Sequence, residues 1–333
     1  MLKQKPVIIL VENSISFTGA FKCALQQANM LKNYYRYIFV LPANSILGPQ
    51  VEKEGFGVYF IPMLEVKKSI MALLLYLPKL ILNAKSLNRI IKKEKASLLV
   101  MNDFYNMLGV AIKYINKKVG LVTYVRFLPN VFPAPLSNAW IHLGQSCSDQ
   151  MVAVSYAVLQ QLPKKNNVAC LYDAVQFSEL LPLKRYHENG VVHFLYLGNY
   201  IQGKGQDHAI RAFHLAYQQN NNIMLLFTGD DMGLQKNRLF KQRLQEYATT
   251  NNLSDVIRFN SFTTDVELII KNADVVLNFS EAESFSLTVA EACYYGVAVI
   301  ASRSGGPEEI IVHEETGLLV ANKNINEMAE AML

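Results

Sequence analysis

Short apolar runs alternate with longer segments of helical period along most of the 333 residues. VIILV (7–11) predicts a buried strand, followed by a glycine-containing turn and a helix from about Gly19. YIFVL (37–41), VYFIP (58–62), SLLVM (97–101), GLVTYV (120–125), MVAVS (151–155) and VACLY (168–172) predict further strands. Helical periods at about 68–94 and 105–116, and a short one after 155, lie between them. FLPNVFPAPLSN (127–138) holds three prolines and predicts a loop. Residues 176–190 are polar without a clear period and predict a linker. The alternation then resumes with strands at 191–198, 223–229, 256–259, 275–280, 297–302 and 317–320, and helices at about 206–219, 234–251, 265–272 and 287–295. Continuous apolar strands alternating with helices imply parallel sheets covered on both faces. The pattern therefore predicts an α/β chain of two doubly wound, Rossmann-like domains, residues 1–175 and 191–333. Ligands are expected at the carboxyl ends of the strands and in the cleft between the domains.

Composition narrows the class. Hydrophobic residues are 51% and charged residues 18%, which excludes a disordered chain. Cys23, Cys147, Cys170 and Cys293 are far apart and form no CxxC pair, which points to a reducing compartment and away from structural zinc. The formal charge of +5 is unevenly spread. Residues 1–175 hold 20 Lys and Arg against 8 Asp and Glu, while residues 176–333 hold 12 against 19. A basic first half favours an anionic partner: nucleic acid, a membrane surface or a phosphorylated substrate. The N-terminus offers only a five-residue apolar run before Glu12, too short for a signal peptide. The most apolar stretch, 70–82, is broken by Pro78 and Lys79 and is too short to span a bilayer. A cytoplasmic chain is expected, either soluble or peripheral on the inner face of the membrane. The stretch from Lys67 and Lys68 through Lys79 continues to Lys85, Arg89, Lys92, Lys93 and Lys95. It reads either as a core helix with a solvated lysine face or as a basic amphipathic helix that docks on anionic lipid.

Common catalytic patterns are missing. No GxGxxG follows the first strand, Gly203-Lys204-Gly205 lacks the spacing of a phosphate-binding P-loop, and no GxSxG or HExxH occurs. Asp230-Asp231 follows a strand, where adjacent carboxylates are usually solvated loop residues rather than metal ligands. The informative stretch is 280–320. A strand ends at Ser280 and a helix starts near Leu287, so its unpaired N–H groups make an anion site. Ser284 or Ser286 can cap that helix. Glu283 lies just before it and Glu291 one turn inside. A carboxylate beside an anion site makes sense if it binds hydroxyls of the same ligand. Alternatively, Ser280-x-x-Glu283 is a capping box and Glu291 a solvated helix residue.

Glu283-x7-Glu291, with Phe285 and Leu287 between, resembles the E-x-F-G-L-x-x-x-E-A signature of the family 4 retaining glycosyltransferases of GT-B fold. Gly296 to Ser302 and Gly305 to Ile310 are similar to the family's G-x-x-V-I-A-S and G-G-x-x-E-I elements. Tyr196-Leu-Gly198 through Lys204-Gly205 resembles its strand–G-R-…-K-G element, and Phe227-Thr-Gly229-Asp230 its L-x-G-x-G/D strand end. Val152 to Ser155 and Tyr172 to Val175 are weaker counterparts in the first half. The resemblance implies a role for each matching position. Glu291 binds the donor's ribose, and Glu283 orients the donor sugar. Lys204 neutralises the diphosphate, the backbone at Ser286, Leu287 and Thr288 cradles it, and Gly19 lets the chain approach it. Three departures stand out. Asn199 replaces the family's arginine, Ser284 and Ser286 replace glycines, and Arg126 stands where many members carry a histidine. Arg126 is either a replacement cation for phosphate, a binder of an anionic acceptor, or an ordinary loop-end arginine. The chain also looks shorter at its C-terminus than the family.

The resemblance implies metal-independent, retaining transfer of a hexose from a nucleotide-diphosphate sugar to a saccharide or lipid-linked acceptor, with no cofactor and no nucleic acid partner. Cell-surface polysaccharide or glycoconjugate synthesis is the usual setting. A GT-B-like epimerase or hydrolase, or a non-catalytic partner subunit, are the alternatives.

Overall fold

The computed structural model describes residues 5–63, 70–175 and 190–333, with the backbone alone for 70–75. The chain divides into two compact units, Met1–Gln176 and Phe177–Leu333. The expected linker falls almost wholly outside the described residues, as do Lys67 and Lys68.

The first unit runs β1 (Val7–Val11), α1 (Gly19–Leu31), β2 (Arg36–Pro42), α2 (Gly48–Lys53), β3 (Gly57–Ile61), α3 (Ile70–Glu94) and β4 (Leu98–Met101). It continues with α4 (Leu108–Ile115), β5 (Gly120–Val125), α5 (Ala134–Cys147), β6 (Gln150–Ala153), α6 (Tyr156–Leu159) and β7 (Val168–Cys170). The seven strands pair in the order β3-β2-β1-β4-β5-β6-β7, every pair parallel. All five residues of β1 are buried, as expected for a strand covered on both faces. Val7, Ile9 and Val11 share one core with Leu87 and Ile91 of α3 and Leu108 and Ile112 of α4. On β2, Tyr37 and Phe39 pack their rings against Phe56.

The loop expected over 127–138 is corrected. Pro129–Val131 forms a single 3-10 turn and α5 starts at Ala134, within that stretch. Pro133 stands at the cap of α5 and Pro135 in its first turn. A missing N–H costs nothing there, because the first N–H groups of a helix have no intrahelical acceptor. Proline density therefore marked a helix start rather than an irregular segment.

The second unit runs β8 (Val192–Leu197), α7 (Gln206–Tyr217), β9 (Ile223–Thr228), α8 (Gln235–Thr250), β10 (Ile257–Asn260), α9 (Val266–Lys271) and β11 (Val275–Asn278). It ends with α10 (Leu287–Tyr294), β12 (Ala298–Ser302), α11 (Pro307–Ile310), β13 (Leu318–Val320) and α12 (Ile325–Glu330). The parallel order is β10-β9-β8-β11-β12-β13. Strand side chains alternate between two cores. Phe194, Tyr196, Leu277 and Ile300 join α7, α8 and α12 on one face. Leu195, Val276, Val299 and Ala301 join α9 and α10 on the other. The order reverses between β8 and β11, the switch point where crevices open at the carboxyl ends of such sheets.

Candidate active site

Two loops meet at that switch point, one after β8 and one after β11. Lys204 closes the first, and its Nζ lies 2.6 Å from Glu283 Oε1 on the second. The two residues singled out from the sequence are thus brought together across 79 positions. Lys204 keeps its side chain 40% exposed while that of Glu283 is 12% exposed, so the ammonium faces outward from a sheltered carboxylate. Ser280 Oγ donates to the same Oε1 at 2.8 Å. Ser280 therefore holds Glu283 rather than capping a helix, and the capping-box alternative is not realised.

Glycine makes this approach of the two loops achievable. Gly205 has φ +82° and sits on the end of β11; a Cβ there would lie 2.0 Å from the Phe279 carbonyl oxygen. Tyr196 locks the same junction. Its hydroxyl donates to the Lys204 carbonyl at 2.5 Å and accepts the Phe279 N–H at 2.9 Å. Burial pushes the Tyr196 hydroxyl far above the ordinary tyrosine range, so it remains a donor at any physiological pH. Gly229 lies equally close to the first loop, its missing Cβ pointing 2.0 Å from the Gly198 carbonyl oxygen.

The Gly305-Gly306 pair serves the second loop. A Cβ on Gly306 would fall 2.3 Å from the Phe285 carbonyl oxygen. Glu283 donates its N–H to the Ser304 carbonyl at 2.9 Å and accepts the Gly306 N–H at 2.8 Å. The turn after β12 thereby fixes the backbone that carries Glu283. Sequence reading found these glycines only as family letters, without this contact.

Helix α10 starts at Leu287, and Ala290 N–H is bonded back to the Ser286 carbonyl at 3.1 Å. The N–H groups of Leu287 and Thr288 precede that bond and lie in the first helical turn, where intrahelical acceptors are missing. Ser286 occupies the cap position but does not cap. It adopts φ +77°, and its Oγ accepts from Asn278 Nδ2 at 2.8 Å. Here the family glycine answers a backbone need that serine meets under strain. Ser286→Ala keeps the strain and loses the hydrogen bond, whereas Ser286→Gly loses both. The glycine variant should therefore be the more stable of the two by about 1 kcal/mol in urea denaturation. Equal stabilities would remove the strain from the picture. Glu291, far from being a solvated helix residue, is buried on α10.

Asn199 follows β8 and braces the neighbouring loop. Its Oδ1 accepts the Asp230 N–H at 3.2 Å, and its carbonyl accepts from Gln206 Nε2 at 2.9 Å. Asp230 and Asp231 build that loop through their own turn bonds, to the N–H of Asp231 and of Gly233, both 2.8 Å.

In the first unit, Gly19 is the exposed first residue of α1, capped by Thr18 Oγ1, which accepts the Phe21 N–H at 3.2 Å. Arg126 is 5% exposed. Its Nε donates to Asn102 Oδ1 at 2.7 Å, its Nη1 pairs with Asp173, and its guanidinium stacks 4.6 Å over the Tyr124 ring. It is therefore no ordinary loop-end arginine. Asn102 in turn donates to Glu12, which is buried at the end of β1. Nothing local in the sequence marks Glu12, Asn102 and Asp173, successively 90 and 71 positions apart, as members of one chain of hydrogen bonds. Burial and the Asp173 carboxylate push the nearby Cys23 thiol well up, which leaves it unreactive.

Residues 184–333 match the family model for glycosyl transferases group 1. An uncharacterised glycosyltransferase of Haemophilus influenzae is 22% identical over 255 residues, 74% of this chain and 69% of that protein. The D-inositol 3-phosphate glycosyltransferase of Pseudarthrobacter chlorophenolicus is 33% identical over 146 residues, 43% of this chain and 34% of that one. The chain spans between 49% and 69% of the length of three such relatives. Among solved structures, Anabaena HepE in complex with UDP and glucose superposes with a TM-score of 0.78 at 18% identity, over 97% of this chain and 88% of that one. Residues 184–333 thus resemble the glycosyl transferases group 1 family, and the two units of the chain have the GT-B fold.

Proposed function

We propose that this protein is a retaining glycosyltransferase of the family 4 type, which moves a hexose from a nucleotide-diphosphate sugar to a saccharide or lipid-linked acceptor. The observation that carries this reading is the convergence of Lys204, Glu283 and the start of α10 at one switch point. A cation and outward N–H groups suit a diphosphate, and a sheltered carboxylate beside them suits sugar hydroxyls. Lys204 and the N–H groups of Leu287 and Thr288 would take up the charge that develops on the departing diphosphate. Buried Glu291 would hold the ribose, and Asn199 would shape the loop at the donor without supplying the charge of the family's arginine.

The Lys204–Glu283 pair gives the donor's phosphates a partner to exchange. Lys204 turns outward to phosphate, and Ser280 keeps Glu283 in place as it does so. With the diphosphate charge met by side chain and backbone, no metal is needed. HepE was solved with UDP and glucose and with UDP-glucose, and a mutant of S. aureus TarM with UDP and alpha-GlcNAc-glycerol, which supports a nucleotide-sugar donor here.

The test is turnover of a panel of nucleotide sugars, with and without candidate acceptors, in the presence of EDTA. Acceptor-dependent release of nucleoside diphosphate that survives chelation is expected, with the product's anomeric configuration by NMR matching that of the donor. Inversion would overturn the retaining mechanism. Activity lost on chelation and restored by Mg²⁺ or Mn²⁺ would overturn metal independence. Consumption without acceptor would favour an epimerase or hydrolase, and binding without turnover a partner subunit.

A further inference from the structure

The stretch Ile70 to Lys118 holds nine Lys and Arg against two acids, Glu94 and Asp103. Neither acid offsets the surface charge. Glu94 is bonded to Arg36 at 2.6 Å and to the Tyr59 hydroxyl at 2.5 Å, and Asp103 is buried. Helix α3 buries Ala84, Leu87 and Ile91 in the first core and turns its opposite side outward. That side begins with Leu77, Ile81 and Leu82, which are 65%, 54% and 61% exposed. It continues, at the spacing of successive turns, through exposed Lys85, Arg89, Lys92 and Lys93. Exposed Lys79 flanks the apolar end. The end of α4 adjoins this face, since Asn116 Nδ2 donates to Asn88 Oδ1 at 3.0 Å. It adds exposed Tyr114, Ile115, Lys117 and Lys118, the tyrosine being 71% exposed.

Three large aliphatic side chains held in water on one helix face, next to a run of cations, call for a partner both apolar and anionic. A solvated core helix accounts for the cations but not for Leu77, Ile81 and Leu82. A polyanion such as nucleic acid accounts for the charge but gives these aliphatic side chains nothing to enter. Among the described residues no helix is long and apolar enough to cross a membrane.

We propose that the outward face of α3, with the end of α4, docks the protein on an anionic lipid bilayer. Leu77, Ile81 and Leu82 enter the boundary between headgroups and acyl chains, Tyr114 sits at headgroup level, and the lysines and Arg89 meet the anionic headgroups. The surface belongs to the first unit alone, so it stands or falls separately from donor binding by the second.

The test is co-sedimentation of the full chain with vesicles of phosphatidylglycerol and phosphatidylcholine, against vesicles of phosphatidylcholine alone. The protein should pellet with the former only, and the bound fraction should fall as salt rises from about 50 to 500 mM. Exchanging Lys85, Arg89 and Lys92 for Gln together should weaken partitioning by roughly a hundredfold. Exchanging Leu77, Ile81 and Leu82 for Ser together should weaken it by roughly tenfold or more. All six side chains are exposed, so thermal melting should match wild type in both variants. Equal recovery in the supernatant with both vesicle types would overturn the proposal. So would binding unaffected by either triple variant. Preferential capture by a single-stranded oligonucleotide, or self-association abolished by the serine variant without vesicle binding, would overturn it in favour of nucleic acid or of a second copy.

Discussion

Gly205→Ala should destabilise the second unit by about 4 kcal/mol or more, a loss of roughly 10 °C in melting temperature. A Cβ at this position meets the Phe279 carbonyl oxygen at 2.0 Å, its carbon at 2.3 Å and the Ser280 nitrogen at 2.8 Å. All three are backbone atoms at the end of β11, so no side chain can swing away. The residue also holds φ +82°, which alanine adopts at a cost of about 1 kcal/mol. Relief requires the Lys204 loop to lift off the strand, and that breaks the Tyr196 hydroxyl's bridge between Lys204 and Phe279. Gly203 supplies the control. It has φ +90° but nothing within 4 Å of a Cβ, so Gly203→Ala should cost only the backbone strain, about 1 kcal/mol. Thermal and urea melts of both variants separate the two effects. Equal losses would show that the close approach of the two loops is not what demands glycine.

The second large effect is on chemistry. Glu283→Gln should lower kcat by about a hundredfold or more while leaving the fold intact. Glutamine preserves the size of the side chain and its backbone bonds to Ser304 and Gly306. It removes the charge that faces Lys204 and weakens the acceptor that would orient the donor sugar. Lys204→Ala should cost a similar or larger factor, because it removes the cation proposed to stabilise the departing diphosphate. Steady-state kinetics, with folding checked by melting, decide the matter. If the Lys204–Glu283 pair merely staples two loops, both variants will melt earlier and keep wild-type kcat per folded molecule. Loss of kcat at unchanged melting temperature is the outcome expected of a site.

Much of the second unit was legible in the sequence because its strands are near-continuous apolar runs and its glycines mark strand ends. VVLNFS announced β11, and Glu283-x7-Glu291 announced the α10 region. The physical role of Gly305-Gly306 was not legible. Gly306 lies against the Phe285 backbone about twenty positions earlier, and pattern alone carries no such distance. The same limit hid Ser280 as the residue that holds Glu283, since S-x-x-E also spells a helix cap. In the first unit, α5 was missed because prolines favour both loops and first helical turns. Arg126 was visible as a departure from the family. Its pairing with Asp173 and Asn102 was not, because a hydrogen-bonded chain across β4, β5 and the segment after β7 leaves no periodic trace.

Isothermal titration of UDP and of GDP into the folded protein bears most directly on whether the second unit is a donor site. One of the two should bind at one site per chain, and Lys204→Ala and Glu291→Gln should each weaken it by about tenfold or more, or ~1.4 kcal/mol. On the proposed reading Lys204→Ala would act there through the diphosphate and Glu291→Gln through the ribose. Absence of binding by both nucleotides, or affinity unchanged in both folded variants, would contradict the assignment of Lys204, Glu283, Glu291 and the start of α10 to a nucleotide-sugar site.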